Sequence, residues 1–351
     1  MSSIENLYQK KNEIYAHLKD EESRTLFDAR LKYALDGDQG RYMATLDTIY
    51  RDWVPSMQLE ERIRKGKPKG FIVYGCGYAG KRIKTMMESF GHQVSYFCDT
   101  YRCGGVIDGI EVLSVDEVAE QHQDYMAIIS SYEYSQEMRA ELLKRGFPEE
   151  NIFPKERMLS WSRGRQYFDL FPPDQEEIFV DAGAFDGETT IDFMDWAQGK
   201  QKEIFVIEPL EDMYKAMQEK FGKNEKIHLF QNAVWDQKET LQLSNQNSGS
   251  AVNEKGELRV DGVDIDSIVG DAKVTFIKMD VEGSELKALM GAKRTIVRNH
   301  PKLAICIYHK PMDILEIPAY ILELVPEYDF YIRHYCSHMW ETVLYATVRE
   351  D

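Results

Sequence analysis

Apolar residues recur at helical spacing along the first third of the amino-terminal region: Ile4, Leu7 and Tyr8, then Ile14, Tyr15 and Leu18, then Leu26, Phe27, Leu31, Tyr33 and Ala34. The spacing predicts amphipathic helices, with Asp20 and the residues after it as an amino-terminal cap and the stretch from Leu35 to Gly40 as a stop. Residues 1–66 are therefore expected to form a helical segment, either a cap on the fold or a dimerisation surface. Past a hydrophilic connector at residues 64–70 the pattern changes. Short apolar runs at 71–74, 94–98 and 126–130 alternate with helical stretches, as in a small Rossmann-like domain spanning residues 67–155.

A second alternating region fills residues 156–351. Its entry carries Trp161, Tyr167, Phe168 and Phe171, too apolar for a free linker and expected to pack on this second region. Strands are expected at about 178–182, 203–208, 226–232, 274–280, 302–308, 328–334 and 341–348, with a short extra one at 240–243. No helical pattern separates the last two. The fold class is thus α/β, a seven-stranded, mainly parallel sheet ending in an antiparallel hairpin, preceded by the smaller domain.

With 351 residues the chain can hold two or three domains with real cores. A net charge of -17 makes phosphate backbones and anionic lipid surfaces poor partners, so a small molecule is the expected ligand rather than nucleic acid or membrane. Cys76, Cys98, Cys103, Cys306 and Cys336 are odd in number and show no C-x-x-C pair, which predicts free thiols in the cytoplasm rather than disulfides or a zinc site. No apolar run approaches a membrane span.

The candidate chemistry centres on residues 178–190, a strand, a turn with Gly183 and Gly187, and a helix. Asp181 and Asp186 at this turn would repel a pyrophosphate but suit a cofactor with a positive end, such as the sulfonium of S-adenosylmethionine. Glu208 closes the next strand at the distance, roughly 20 residues on, where an acid meets ribose hydroxyls. The first domain has its own G-x-G-x-x-G at Gly75, Gly77 and Gly80, with Asp99 after the second strand. This reads either as a nucleotide-binding turn or as a tight strand–helix turn. No Tyr-x-x-x-Lys pair supports a redox role.

Five phrases in order, at residues 180–189, 207–209, 232–234, 277–283 and 307–311, make the second region resemble the FkbM family of S-adenosylmethionine-dependent methyltransferases. The resemblance implies that Asp181, Gly183 and Gly187 meet the methionine end of the cofactor, Glu208 its ribose, and Asn232 with Ala233 its adenine edge. It puts Asp280, Glu282 and His309 at the reaction. Asp280 and Glu282, one residue apart in an extended segment, would share a face and raise one another's proton affinity, giving a general base, while His309 would take the same role or orient the acceptor hydroxyl. These three could also ligate a divalent ion, but metal-free base catalysis is the expectation. Residues 244–250 form either a lid hinged at Gly249 or a surface loop, and Asp266 is expected to cap a short helix. The first domain resembles nucleotide-binding domains attached to sugar-modifying enzymes, with residues 109–114 as the shared phrase. The chain is therefore expected to be an O-methyltransferase acting on a sugar, nucleotide-sugar or small natural product. The alternative is an NAD- or sugar-nucleotide-binding enzyme or regulatory module centred on Gly75 to Gly80.

Overall fold

The computed structural model describes residues 3–50, 54–89, 91–131, 134–154, 165–246, 249–252, 256, 258–336 and 339–348. They form two compact units, residues 47–163 and residues 1–46 together with 164–351. In chain order the first elements are α1 (Ser3–His17), α2 (Glu21–Asp36), α3 (Gln39–Ile49), α4 (Val54–Gly66), β1 (Phe71–Tyr74), α5 (Tyr78–Ser89), β2 (Val94–Cys98), β3 (Gly105–Ile107), β4 (Ile110–Leu113), α6 (Val115–Gln121), β5 (Met126–Ile129), α7 (Ser135–Lys144) and β6 (Ile152–Phe153).

In the unit of residues 47–163 the sheet order is β3-β4-β2-β1-β5-β6, parallel except for β3. β1 and β5 are adjacent, so the strand order reverses at the carboxyl end of β1, where a doubly wound sheet opens a crevice. The turn there is tight. Gly75 has φ +99, and a Cβ at Gly80 would lie 1.8 Å from the Gly75 carbonyl oxygen. That is the glycine needed for close strand–helix packing.

The other unit continues with β7 (Glu177–Ala182), α8 (Glu188–Ala197), β8 (Gln201–Ile207), α9 (Glu211–Phe221), β9 (Ile227–Phe230), β10 (Ala233–Val234), β11 (Glu239–Gln246), β12 (Gly249–Val252), β13 (Leu258–Val263), α10 (Ile265–Val269), β14 (Phe276–Met279), α11 (Glu285–Met290), α12 (Lys293–Asn299), β15 (Lys302–Cys306), α13 (Asp313–Leu324), β16 (Tyr328–His334) and β17 (Thr342–Val348). Seven strands pair in the order β16-β17-β15-β14-β7-β8-β9, with β17 antiparallel to both neighbours. The terminal hairpin thus inserts its second strand beside β15. Phe168, Phe179, Phe193, Trp196 and Phe276 form an aromatic core on one face of the sheet, with Phe179 and Phe193 stacked at 4.1 Å. The aromatic connector belongs to this core: Tyr167 and Phe168 are buried and Phe171 packs beside them, while Trp161 lies outside the described residues.

Helices α1 and α2 cover the edge of the seven-stranded sheet. α2 starts at the Asp20 cap, which accepts from the Ser23 amide at 2.8 Å, and stops at Gly37 with φ +68. The segment between α1 and α2 meets the edge strand β16, where Leu18 bridges Phe330 and the Lys19 amide donates to the Phe330 carbonyl at 3.1 Å. An edge strand is thereby covered rather than left open to pairing.

Two local expectations change. Residues 244–246 and 249–250 lie in strands, β11 and β12 pairing antiparallel in a separate sheet ordered β10-β13-β11-β12 with Gln246 opposite Gly249, while residues 247–248 lie outside the described residues. The helix α10 is capped by Asp264, whose side chain accepts from the Ser267 amide at 2.7 Å. Asp266 instead accepts from the Arg294 and Thr295 amides and so fastens α12.

Candidate active site

The carboxyl ends of β7, β8 and β14 open on a cleft of about 240 Å³. Gly183, Phe185, Glu208, Pro209, Asn232 and Ala233 form one side, and Asp280, Glu282, Tyr308 and Glu341 the other. β7 and β14 are adjacent, so this too is the point where the strand order reverses. The backbone is tightest at Gly183, with φ +77, where a Cβ would stand 1.9 Å from the Asp280 carbonyl oxygen. Glycine is required there both for the dihedral and for the space.

Glu208 is 5 % exposed and accepts from the Phe185 amide at 2.9 Å and the Leu210 amide at 3.0 Å. Burial pushes its carboxyl above the ordinary range, against those two donors. The carboxylate is thus fixed in orientation, with lone pairs left for hydroxyl donors. Among the described lining residues there is no lysine, arginine or histidine, whereas Glu208, Asp280, Glu282 and Glu341 supply four carboxyls. Such a wall suits a cationic ligand and disfavours a pyrophosphate.

Asp280 accepts from two tyrosine hydroxyls, Tyr167 at 3.0 Å and Tyr308 at 3.1 Å. His309 is enclosed by carboxylates: Nδ1 lies 2.9 Å from Glu285, and Nε2 lies 3.3 Å from Glu282 and 3.6 Å from Asp280. Burial pulls the imidazole down, but Glu282, Glu285 and Asp280 outweigh it and raise its pKa to about 10. At neutral pH it is an imidazolium. In that form it balances the charge of the acids around it. Asp280, Glu285 and His309 bring ligand atoms within 4.8 Å of one another, a potential cation site.

Asp280 and Glu282 do meet, but not by strand alternation. β14 ends at Met279, and Glu282 sits in the following turn with φ +52. The two carboxylates converge on His309 rather than on a common strand face.

Of the other expected residues, Gly183, Glu208, Asn232 and Ala233 line the cleft. Asp181 is fully buried beneath it, paired with Lys278 at 3.1 Å and accepting from Thr190 at 2.8 Å. Asp186 is exposed and accepts from the Glu188 amide at 3.1 Å, at the start of α8. Gly187, with φ +81, is the residue preceding that helix, and a Cβ there would meet Phe221 at 2.6 Å. In the other unit, Asp99 is engaged by its own loop, accepting from the amides of Cys76, Tyr101 and Arg102. Gly75, Gly77 and Gly80 form the turn beside it.

Lys278, Tyr167, Glu285, Glu341 and Arg30 were not legible as site residues. Lys278 alone had a signal, a single charge in an otherwise apolar central strand. The rest arrive from distant segments.

Residues 181–332 match the family model described as the methyltransferase FkbM domain. Comparison with curated proteins gives no match. Among solved structures, the methyltransferase FkbM from Methylobacillus flagellatus KT is 20% identical with a TM-score of 0.49, over 88% of this chain and 99% of that one. Aeropyrum pernix fibrillarin in complex with natively bound S-adenosyl-L-methionine is 10% identical with a TM-score of 0.32, over 50% of this chain and 69% of that one. SMU.1697c, a putative methyltransferase from Streptococcus mutans in complex with SAH, is 13% identical with a TM-score of 0.32, over 50% and 91%. The family match assigns a methyltransferase domain to residues 181–332. No helix among the described residues is long and apolar enough to cross a membrane.

Proposed function

We propose that this FkbM methyltransferase domain methylates a hydroxyl of a sugar-like small molecule, with the acceptor held beside Glu282 and Tyr308. The observation that carries the reading is the acidic cleft at the reversal of strand order, which joins a second cavity through Glu282, Tyr308 and Glu341. One molecule would occupy each, and the three shared residues form the border.

Glu208 would hold the ribose hydroxyls, Asn232 and Ala233 the adenine edge, and Gly183 the methionine end, where only bare backbone leaves room. The cofactor, when bound, supplies an activated methyl group. This chain's residues then have two tasks, to align the acceptor oxygen and to take its proton. Glu282 is suited to the second, because it borders both cavities and its side chain is 38% exposed. Asp280 is already committed to two tyrosine hydroxyls and serves to position them. The His309 imidazolium faces both acids and offsets their charge, so that a proton can be received in a crowded anionic site. Aromatic faces at Tyr33 and Trp340 beside carboxylates in the second cavity are the mixed surface a polyhydroxylated acceptor needs.

The test is calorimetric titration with S-adenosylhomocysteine, with NAD and UDP as controls, followed by transfer of labelled methyl to a panel of sugars. Binding lost at least tenfold in Glu208→Gln, about 1.4 kcal/mol, is the expected result. Binding of NAD in preference to S-adenosylhomocysteine would sink the proposal.

A further inference from the structure

Resting on the methyltransferase reading, we infer that the acceptor carries an anionic group, a carboxylate or a phosphate, and that Arg30 of α2 receives it in the second cavity. That cavity, about 610 Å³, is lined by Arg30, Tyr33, Glu282, Tyr308, His309 and Trp340, among others. It lies wholly within the unit that contains the cofactor cleft.

Arg30 is 2 % exposed, yet no carboxylate among the described residues pairs with it. Its two terminal nitrogens donate to backbone carbonyls, Nη1 to Met339 at 3.0 Å and Nη2 to Tyr308 at 2.6 Å. Nε is buried without a hydrogen-bond partner. A guanidinium has five N–H groups, so three remain beyond those two bonds. The rings of Tyr33 and Tyr42, each 5.3 Å from the guanidinium carbon, hold its plane. Two carbonyl dipoles and two ring faces orient a cation, but they do not neutralise it.

The other charges on this wall already have partners. Glu282 and His309 face one another at 3.3 Å, and the Glu341 carboxyl accepts from the Gln166 amide. Arg30 is the charge left over. It sits on the wall that holds Tyr308, whose carbonyl it fixes, so a molecule bound through it would lie at the border with the donor cleft. A planar fork of free N–H groups is the arrangement that recognises carboxylate and phosphate oxygens. α2 thereby becomes the specificity-determining element of the acceptor site.

The experiment uses the full chain saturated with S-adenosylhomocysteine and titrated with glucuronate, glucose 6-phosphate and glucose. Glucuronate or the phosphate should bind at least tenfold more tightly than glucose, and which of the two binds better identifies the anion. Their binding should weaken with added salt while that of glucose does not. Arg30→Lys keeps the charge but not the fork, and should lose at least tenfold for the anions with unchanged affinity for S-adenosylhomocysteine. Arg30→Gln should abolish the preference. Equal binding of all three sugars, binding of none, or an unaltered preference in Arg30→Lys would each overturn the inference. Failure of the chain to bind S-adenosylhomocysteine would instead overturn the methyltransferase reading beneath it.

Discussion

Lys278 and Asp181 face one another across neighbouring parallel strands, in register, with ammonium and carboxylate 3.1 Å apart and neither exposed by more than 2 %. Burial would pull the lysine down, but Asp181 and then Asp280 keep it above its ordinary range. The lysine also donates to the Gly183 carbonyl at 2.5 Å and so fixes the floor of the cleft. Removing it as Lys278→Met leaves a buried carboxylate uncompensated, and should cost about 3–5 kcal/mol in urea unfolding. The double variant Asp181→Asn with Lys278→Met should recover most of that loss; equal destabilisation of both variants would show that the pair is not coupled.

Gly183→Ala places a methyl group 1.9 Å from the Asp280 carbonyl oxygen, in a left-handed conformation. S-adenosylhomocysteine affinity should fall at least tenfold, about 1.4 kcal/mol. Gly199→Ala is the control, since its φ is +88 but nothing lies within 4 Å of the added carbon. Should both variants bind the ligand like the parent, the close approach of the two turns is not what shapes the cleft.

His309 gives stability a pH dependence. Its pKa rises from 6.5 to about 10 in the folded chain, because Glu282, Glu285 and Asp280 outweigh burial. A raised pKa on a cationic group contributes stability that is complete below about 6.5 and lost as pH climbs towards about 10. Thermal midpoints measured across this window should decline, and less steeply in His309→Gln. Parallel declines in the two proteins would assign the effect to other groups.

Asp20 holds two partners at the sheet edge, the Ser23 amide at 2.8 Å and Arg333 at 2.6 Å. Burial raises its carboxyl, but Arg333 and Ser23 more than offset this, leaving its pKa below the ordinary value. Its stabilisation is therefore present above pH 3.8 and fades as pH falls through the depressed folded value. Asp20→Ala should cost about 1–2 kcal/mol, as loss of a helix cap does. Denaturant midpoints at pH 7 give the loss, and it should shrink at about pH 3 if the charge is responsible.

The parallel strands of the two larger sheets were readable because buried parallel strands are continuous apolar runs, and Gly183 and Glu208 because a nucleotide turn restricts what may stand at fixed offsets. Glu282 was found for a reason that did not hold, since the chain turns at that residue instead of running on as strand. Asp181 carried the right charge but lies under the cleft, where Lys278 absorbs it. Arg30 and Glu341 join the site from opposite parts of the chain. Local periodicity holds no information about such meetings, which depend on where helix α2 settles on the finished sheet.

The tie between Asp20 and Arg333 spans 313 residues of sequence. Helices α1 and α2 leave the ribosome long before the strand they cover, β16. Until α13 and β16 exist, these helices lack the surfaces they pack on, and the intervening unit can fold ahead of them. Helices α1 and α2 are thus a late-closing piece of their unit: their final position is decided only when segments some three hundred residues further along have been made.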